Sequence, residues 1–298
     1  MTGADHGDSS REIVRVFPRR TSYTPTDSLA FVGDPPLWRP EGIAQIMVSV
    51  TFTWDVPEAR RLAEAWGSCY PGVPVHLGGP ALNSRADGFV AGRFVKPGVT
   101  FTSRGCDNRC PWCLVPAREG RLRMLPDFPD GHVINDNNFL QCSPEHRRKV
   151  YAMLDRQPRA AVFAGGLDAR LVTDEVAAEL RSIPIGQIFL AADTDESLPA
   201  LEQALNRLSF LGRDKLRAYV LCGWNGQTID QAQARLEAVW EMGAMPFAQL
   251  YQPADRWIAY SGDWKRLQRM WSRPALMKVR HRGRGRPEDS PIFALGLS

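Results

Sequence analysis

Residues 187–222 read QIFLAADTDESLPALEQALNRLSFLGRDKLRAYVLC. Two apolar runs, QIFLA from Gln187 and RAYVLC from Arg217, flank a stretch in which Leu198, Leu201, Leu205 and Leu208 recur at helical spacing. Apolar runs of this kind predict strands buried on both faces, and the leucine stripe predicts a one-faced helix lying over them. The pattern repeats in both directions. VTFTS from Val99, HVIND from His132, AVFAG from Ala161 and PFAQLY from Pro246 complete a set of six strand candidates. Their starts lie about 30 residues apart, the length of a strand-helix-strand unit. Val150, Met153 and Leu154 mark one further helix, while Ile229, Ala232, Leu236, Val239 and Trp240 mark another that Gly243 is expected to stop. Six such units with right-handed crossovers predict an α/β fold with a parallel sheet, barrel-like or open.

The residues before this region have a different texture. IVRVF, LAFVG, QIMVSVTF and VPVHLGG read as strands, and PEARRLAEAW reads as a helix with Ala59, Leu62, Ala63 and Trp66 on one face and Pro57 in its first turn. Residues 1–96 are therefore expected to form a small Rossmann-like α/β domain, 97–274 the six-unit region, and 275–298 a basic tail. With 298 residues, 44% of them hydrophobic, the chain can bury a sizeable core, which excludes disorder as its dominant state. A net charge of +4 names no partner by itself. No opening segment reads as a signal peptide and no apolar run nears the roughly 18 residues that span a bilayer, so a soluble, cytoplasmic protein with no membrane partner is expected.

Six cysteines are too few for a disulfide scaffold in a chain of this length, and three of them crowd into TSRGCDNRCPWCLVPAREG, which starts at Thr102. Cys106, Cys110 and Cys113 form a C-x3-C-x2-C set directly after the first strand of the six-unit region. Three thiolates on one loop can hold three irons of a cubane cluster and leave the fourth iron open to a small molecule. The motif resembles that of the radical S-adenosylmethionine (radical SAM) superfamily, with Trp112 as the aromatic residue that usually precedes the third cysteine. That resemblance implies a partial (β/α)6 TIM-like barrel, a [4Fe-4S] cluster on Cys106, Cys110 and Cys113, SAM as cofactor, and an electron donor such as flavodoxin or ferredoxin. The implied activity is reductive SAM cleavage followed by hydrogen-atom abstraction from a substrate the sequence leaves unnamed. The alternative is a structural zinc site completed by His132 or His146, in a non-catalytic metal-stabilised nucleic-acid-binding protein.

The resemblance also implies SAM contacts at the ends of later strands. Asp136, Asn137 and Asn138 follow the second strand, in place of the family's Gly-Gly-Glu form. Gly165, Gly166, Asp168 and Arg170 follow the third, the glycines for close backbone approach and the Asp/Arg pair for amine, ribose or carboxylate groups, or as a mere surface pair. Asp193 or Thr194 after the fourth is expected to meet the ribose or cap a helix, with capping favoured for Asp195. YVLCGWNGQT resembles the adenine-facing strand, and Cys222, like Cys69 and Cys142, is expected to be structural or free. That argues against branches with further clusters. Arg104, Arg109, Arg118, Glu119 and Arg121 surround the cysteines in sequence.

The N-terminal segment resembles the cobalamin-binding-type domain of one radical SAM branch. Its Asp-x-His-x-x-Gly motif is missing, since Asp5-His6-Gly7 has the wrong spacing and His76 lacks the aspartate, so a degenerate domain without cobalamin is expected. At the other end, Lys265, Arg266 and Arg269 opposite Trp264, Leu267 and Trp271, then Lys278, Arg280, Arg282, Arg284 and Arg286, suit either phosphate contacts or a solvated basic surface.

Overall fold

The computed structural model describes residues 13–82 and 93–281. The chain divides into two compact units, Met1–Asn137 with Arg148–Gln157, and Asn138–Arg147 with Pro158–Ser298. The first unit therefore holds the N-terminal sheet together with the cysteine loop.

In the first unit, β1 (Ile13–Phe17), β2 (Ala30–Val32), β3 (Gln45–Ser49) and β4 (Val75–Gly78) form a wholly parallel sheet in the order β2-β1-β3-β4. The chain leaves β1 toward one edge and returns on its other side, so a topological switch point lies between β1 and β3. Helix α1 (Val56–Cys69) makes the crossover from β3 to β4 and starts on a proline-bearing first turn, where a missing N–H costs nothing. Ala59, Leu62 and Trp66 are fully buried against Val14, Val16, Ile46 and Val48, as the helical stripe predicts. Burial of each large side chain contributes about 1.5–3 kcal/mol. The Trp66 indole N–H donates to the Gly33 carbonyl at 3.1 Å, which leaves no buried donor unpaired there.

β5 (Gly98–Thr100) pairs in parallel with β8 (Gly131–Ile134), while β6 (Ser103–Arg104) pairs antiparallel with β7 (Arg123–Met124). The expected single strand VTFTS is thus split, and its second half opens a short ribbon around the cysteine loop. Between them lies α2 (Val115–Glu119), and α3 (Pro144–Asp155) contributes residues to both units.

In the second unit, β9 (Ala161–Phe163), β10 (Ile185–Ala191), β11 (Leu216–Cys222) and β12 (Met245–Leu250) are parallel and neighbour one another in chain order. The crossovers are α4 (Asp174–Arg181), α5 (Leu198–Arg207) and α6 (Ile229–Glu241), followed by α7 (Gly262–Ser272) and α8 (Pro274–His281). Thr228 and Gln231 form a reciprocal capping box at the start of α6, with bonds of 3.2 and 2.9 Å. Gly243 adopts φ +99° just beyond the helix, in keeping with its expected role as a stop. Most of the α5 and α6 stripes is buried, including Leu201, Leu205, Leu236, Val239 and Trp240, while Leu198 and Ile229 at the helix starts are part-exposed.

Among the described residues no helix is long and apolar enough to cross a membrane. The described cations of the basic tail are already engaged, Lys278 with Asp214 and Arg280 with Glu237, each at 2.7 Å. On α7, Trp271 and Leu267 are buried, while Lys265, Arg266 and Arg269 face outward and Arg266 pairs with Asp263. Arg282, Arg284 and Arg286, like Asp5, His6 and Gly7, lie outside the described residues.

Candidate functional site

The cysteine loop is built on two carboxylate anchors, one buried and one part-buried. The first is Asp136, 1% exposed, two residues beyond β8. One carboxylate oxygen accepts from the Thr102 amide at 2.6 Å, and the other accepts from the Thr102 and Ser103 hydroxyls at 2.6 and 2.8 Å. Asp136, expected from the sequence to orient the SAM amine, instead spends both oxygens on pinning the chain just before the cysteines. Burial pushes its carboxyl above the usual carboxylate range, while the donated bonds pull it back down.

The second anchor is Glu119 at the end of α2. Its carboxylate pairs with the Arg104 guanidinium and accepts from the Gly105 amide at 3.1 Å and the Asn137 side-chain amide at 2.5 Å. The Arg123 guanidinium donates to the Glu119 carbonyl at 2.5 Å. Arg104 also lies 4.6 Å from the Phe101 ring centroid. This hub escaped the sequence reading, in which Glu119 was one of several charges around the loop.

Between the anchors the loop turns tightly. Gly105 has φ +79°, and a Cβ there would sit 2.2 Å from the Arg121 carbonyl oxygen. Gly105→Ala is expected to destabilise the protein by at least about 2 kcal/mol, because it combines left-handed strain with a backbone overlap. Thermal unfolding of the purified variant measures this, and an unchanged midpoint would contradict the packing described. The Cys106 amide donates to the Gly120 carbonyl at 3.2 Å, and the Cys113 amide to the Cys110 carbonyl at 3.0 Å.

Cys106 and Cys110 are part-exposed, Cys113 is exposed, and no disulfide joins any of the six cysteines. Trp112 is half-buried. Among the described residues no three His, Cys, Asp or Glu side chains form a group that could hold a metal ion. The chemistry of the donor set nevertheless fits an iron-sulfur cluster: three soft thiols within one short, accessible loop.

A cavity of about 670 Å³ opens beside this framework, within the first unit. It lies where the carboxyl ends of β1, β3 and β4 meet those of β5 and β8, and its wall includes Phe17, Thr51, Gly79, Arg104, Glu119 and Asn137. Such a position, at a switch point and at strand carboxyl ends, is the usual ligand crevice of parallel α/β sheets. Arg19 is paired with Asp55 there, one bond at 2.5 Å, so both principal ion pairs of the wall are internally compensated.

The remaining sequence candidates fall in the second unit, each in its own local arrangement. Asn138 is buried. Gly165 and Gly166 form the turn after β9, with Gly166 at φ +97° and a Cβ there 3.9 Å from the Tyr219 ring. Asp168 caps a short helical turn, accepting from the Arg170 amide at 3.1 Å, and also takes the Arg170 guanidinium at 2.9 and 2.6 Å. Of the two roles weighed for this pair, the local ion pair is the one displayed. The Asp193 carbonyl accepts from the Arg235 guanidinium at 2.7 Å. Asp195, expected as a helix cap, pairs with Arg235 at 2.6 Å, and the capping position belongs to Thr194 with Ser197. Cys222 is buried, as expected of a small core residue, Cys142 is buried too, and burial pushes the Cys222 thiol up to about 12.

No protein-family model matches the chain, and no curated protein gives a significant match.

Proposed function

We propose that this protein is a radical SAM enzyme in which Cys106, Cys110 and Cys113 hold a [4Fe-4S] cluster. The observation that carries the reading is the placement of the C-x3-C-x2-C loop at the carboxyl end of β5, fastened through Asp136 to the strand that follows. In this reading the finer architecture of the α/β fold is a partial (β/α)6 TIM-like barrel. When bound, the cluster and SAM supply reductive cleavage of the sulfonium and hydrogen-atom abstraction.

The chain's own residues have supporting tasks. Asp136 and Glu119 hold both ends of the loop, so that its thiols keep one spacing when they are loaded. Gly165 and Gly166, after β9, are proposed to approach SAM through backbone, and Asp193, after β10, to meet its ribose. Asn137 borders the cavity and is tied to Glu119, which suits it to orient a ligand rather than a metal. The N-terminal sheet is read as a degenerate cobalamin-binding-type domain whose task is to shape the substrate chamber. A reduced flavodoxin or ferredoxin is the proposed electron source.

Anaerobic reconstitution tests the reading. The loaded protein is expected to carry about four irons with a broad absorption near about 400 nm, and the reduced form is expected to convert SAM to 5′-deoxyadenosine and methionine. A protein that takes one zinc and no iron, or an intact cluster that cleaves no SAM, overturns it.

A further inference from the structure

One face of the β9–β12 sheet carries an arginine with no acid beside it. Arg217 is 7% exposed, its Nε has no hydrogen-bond partner, and the side chain forms no ion pair among the described residues. Its guanidinium carbon lies 5.5 Å from the Phe189 ring centroid and 5.7 Å from that of Phe247. Phe189 stacks on Tyr219 at 4.6 Å, and Tyr219 meets Phe247 edge-on at 5.7 Å. The register pairs Phe189 with Arg217 and Tyr219 with Phe247, so the alternation of strands places all four on one face. The rings on that face are part-exposed, whereas Ile188, Leu190, Ala218, Val220 and Ala248 on the other are fully buried.

The magnitudes are unequal. Cation–π attraction contributes about 2 kcal/mol in a desolvated setting, against an effective penalty of several kcal/mol for a buried ion. Burial accordingly pushes the Arg217 guanidinium below its usual value. A carboxylate, gripped by the planar fork, would offset the remainder, and the rings offer a flat apolar surface beside it.

We propose that Arg217, Phe189, Tyr219 and Phe247 form a binding site for a ligand with a flat apolar body and a carboxylate. The site goes beyond the cluster reading and does not rest on it, because its test needs neither SAM nor reductant. Benzoate and neutral benzamide are titrated calorimetrically into the full chain. Benzoate is expected to bind at least tenfold more tightly than benzamide, and Arg217→Met is expected to remove that preference. Without ligand, Arg217→Met is expected to raise the unfolding midpoint by about 2–4 °C, because an uncompensated buried charge is replaced by an apolar chain of similar length. Arg217→Lys, which keeps the charge without the fork, is expected to fold normally and bind benzoate several-fold more weakly. Equal affinity for the two probes, no benzoate binding, benzoate affinity unchanged in either variant, or a lowered midpoint for Arg217→Met overturns the proposal and leaves Arg217 a packing residue.

Discussion

Replacing Cys110 by alanine is expected to abolish iron retention and lower SAM cleavage by more than about a hundredfold, beyond the 10–100-fold typical of a residue that only supports a ligand. The thiol is part-exposed, so its loss removes little packing, and the metal-free variant is expected to unfold at the same temperature as the metal-free parent. Cys222→Ala provides the contrast. That thiol is buried and, with its pKa pushed up to about 12, stays protonated at neutral pH, where it is a poor ligand. Its removal should leave iron content unchanged. If Cys110→Ala instead unfolds under conditions in which the metal-loaded parent stays folded, the structural-metal reading stands in its place, and if Cys110→Ala retains full iron, these cysteines hold no metal and both readings are wrong.

Asp136→Ala is expected to cost about 3–5 kcal/mol, because three donors at the base of the cysteine loop lose their acceptor in a dry site. Asp136→Asn keeps one carbonyl acceptor, and the two hydroxyls can reorient toward the new amide, so a loss of about 1–2 kcal/mol is expected. The titration has a definite sign. The folded-state carboxyl lies above its ordinary value, chiefly through burial, so the folded protein holds this proton more tightly than the unfolded chain does. The contribution is fully present below the unfolded pKa of about 3.9 and is lost as pH rises through the folded value. The stability advantage of the parent over the Asn variant should therefore shrink as pH climbs from about 4. Denaturant titrations of both proteins across that range measure it, and a widening gap would show that the donated bonds outweigh burial.

The repeat of strands and helices was legible because each element is defined by its own neighbours. A leucine at every third or fourth position has to lie on one helical face, and Leu201 and Leu205 are buried accordingly. The α1 stripe and its proline, the Gly243 stop and the inert Cys222 follow from the same local logic. What was not legible depended on partners distant in the chain. Nothing near Asp136 announces that Thr102 and Ser103 will use its oxygens, and nothing near Glu119 announces Arg104, Gly105 and Asn137 as its company. The division of VTFTS into two short strands has the same cause, since the carboxylate takes donors that would otherwise extend the ladder. Arg217 was hidden in a different way. Its run reads as an ordinary buried strand, and only the register with β10 and β12 reveals that its cation is enclosed by rings without an acid.

The Asp136 anchor also sets an order of events during synthesis. Thr102 and its carboxylate partner are 34 positions apart, so the cysteine-bearing segment leaves the ribosome well before the residue that fixes its base. Closing so long a loop costs entropy that the hydrogen bonds repay only once β8 has docked beside β5. Until then the three thiols belong to a loose chain, reactive toward any oxidant or stray metal. The loop therefore gains its fixed base only after Asp136 has been synthesised and β8 has docked beside β5.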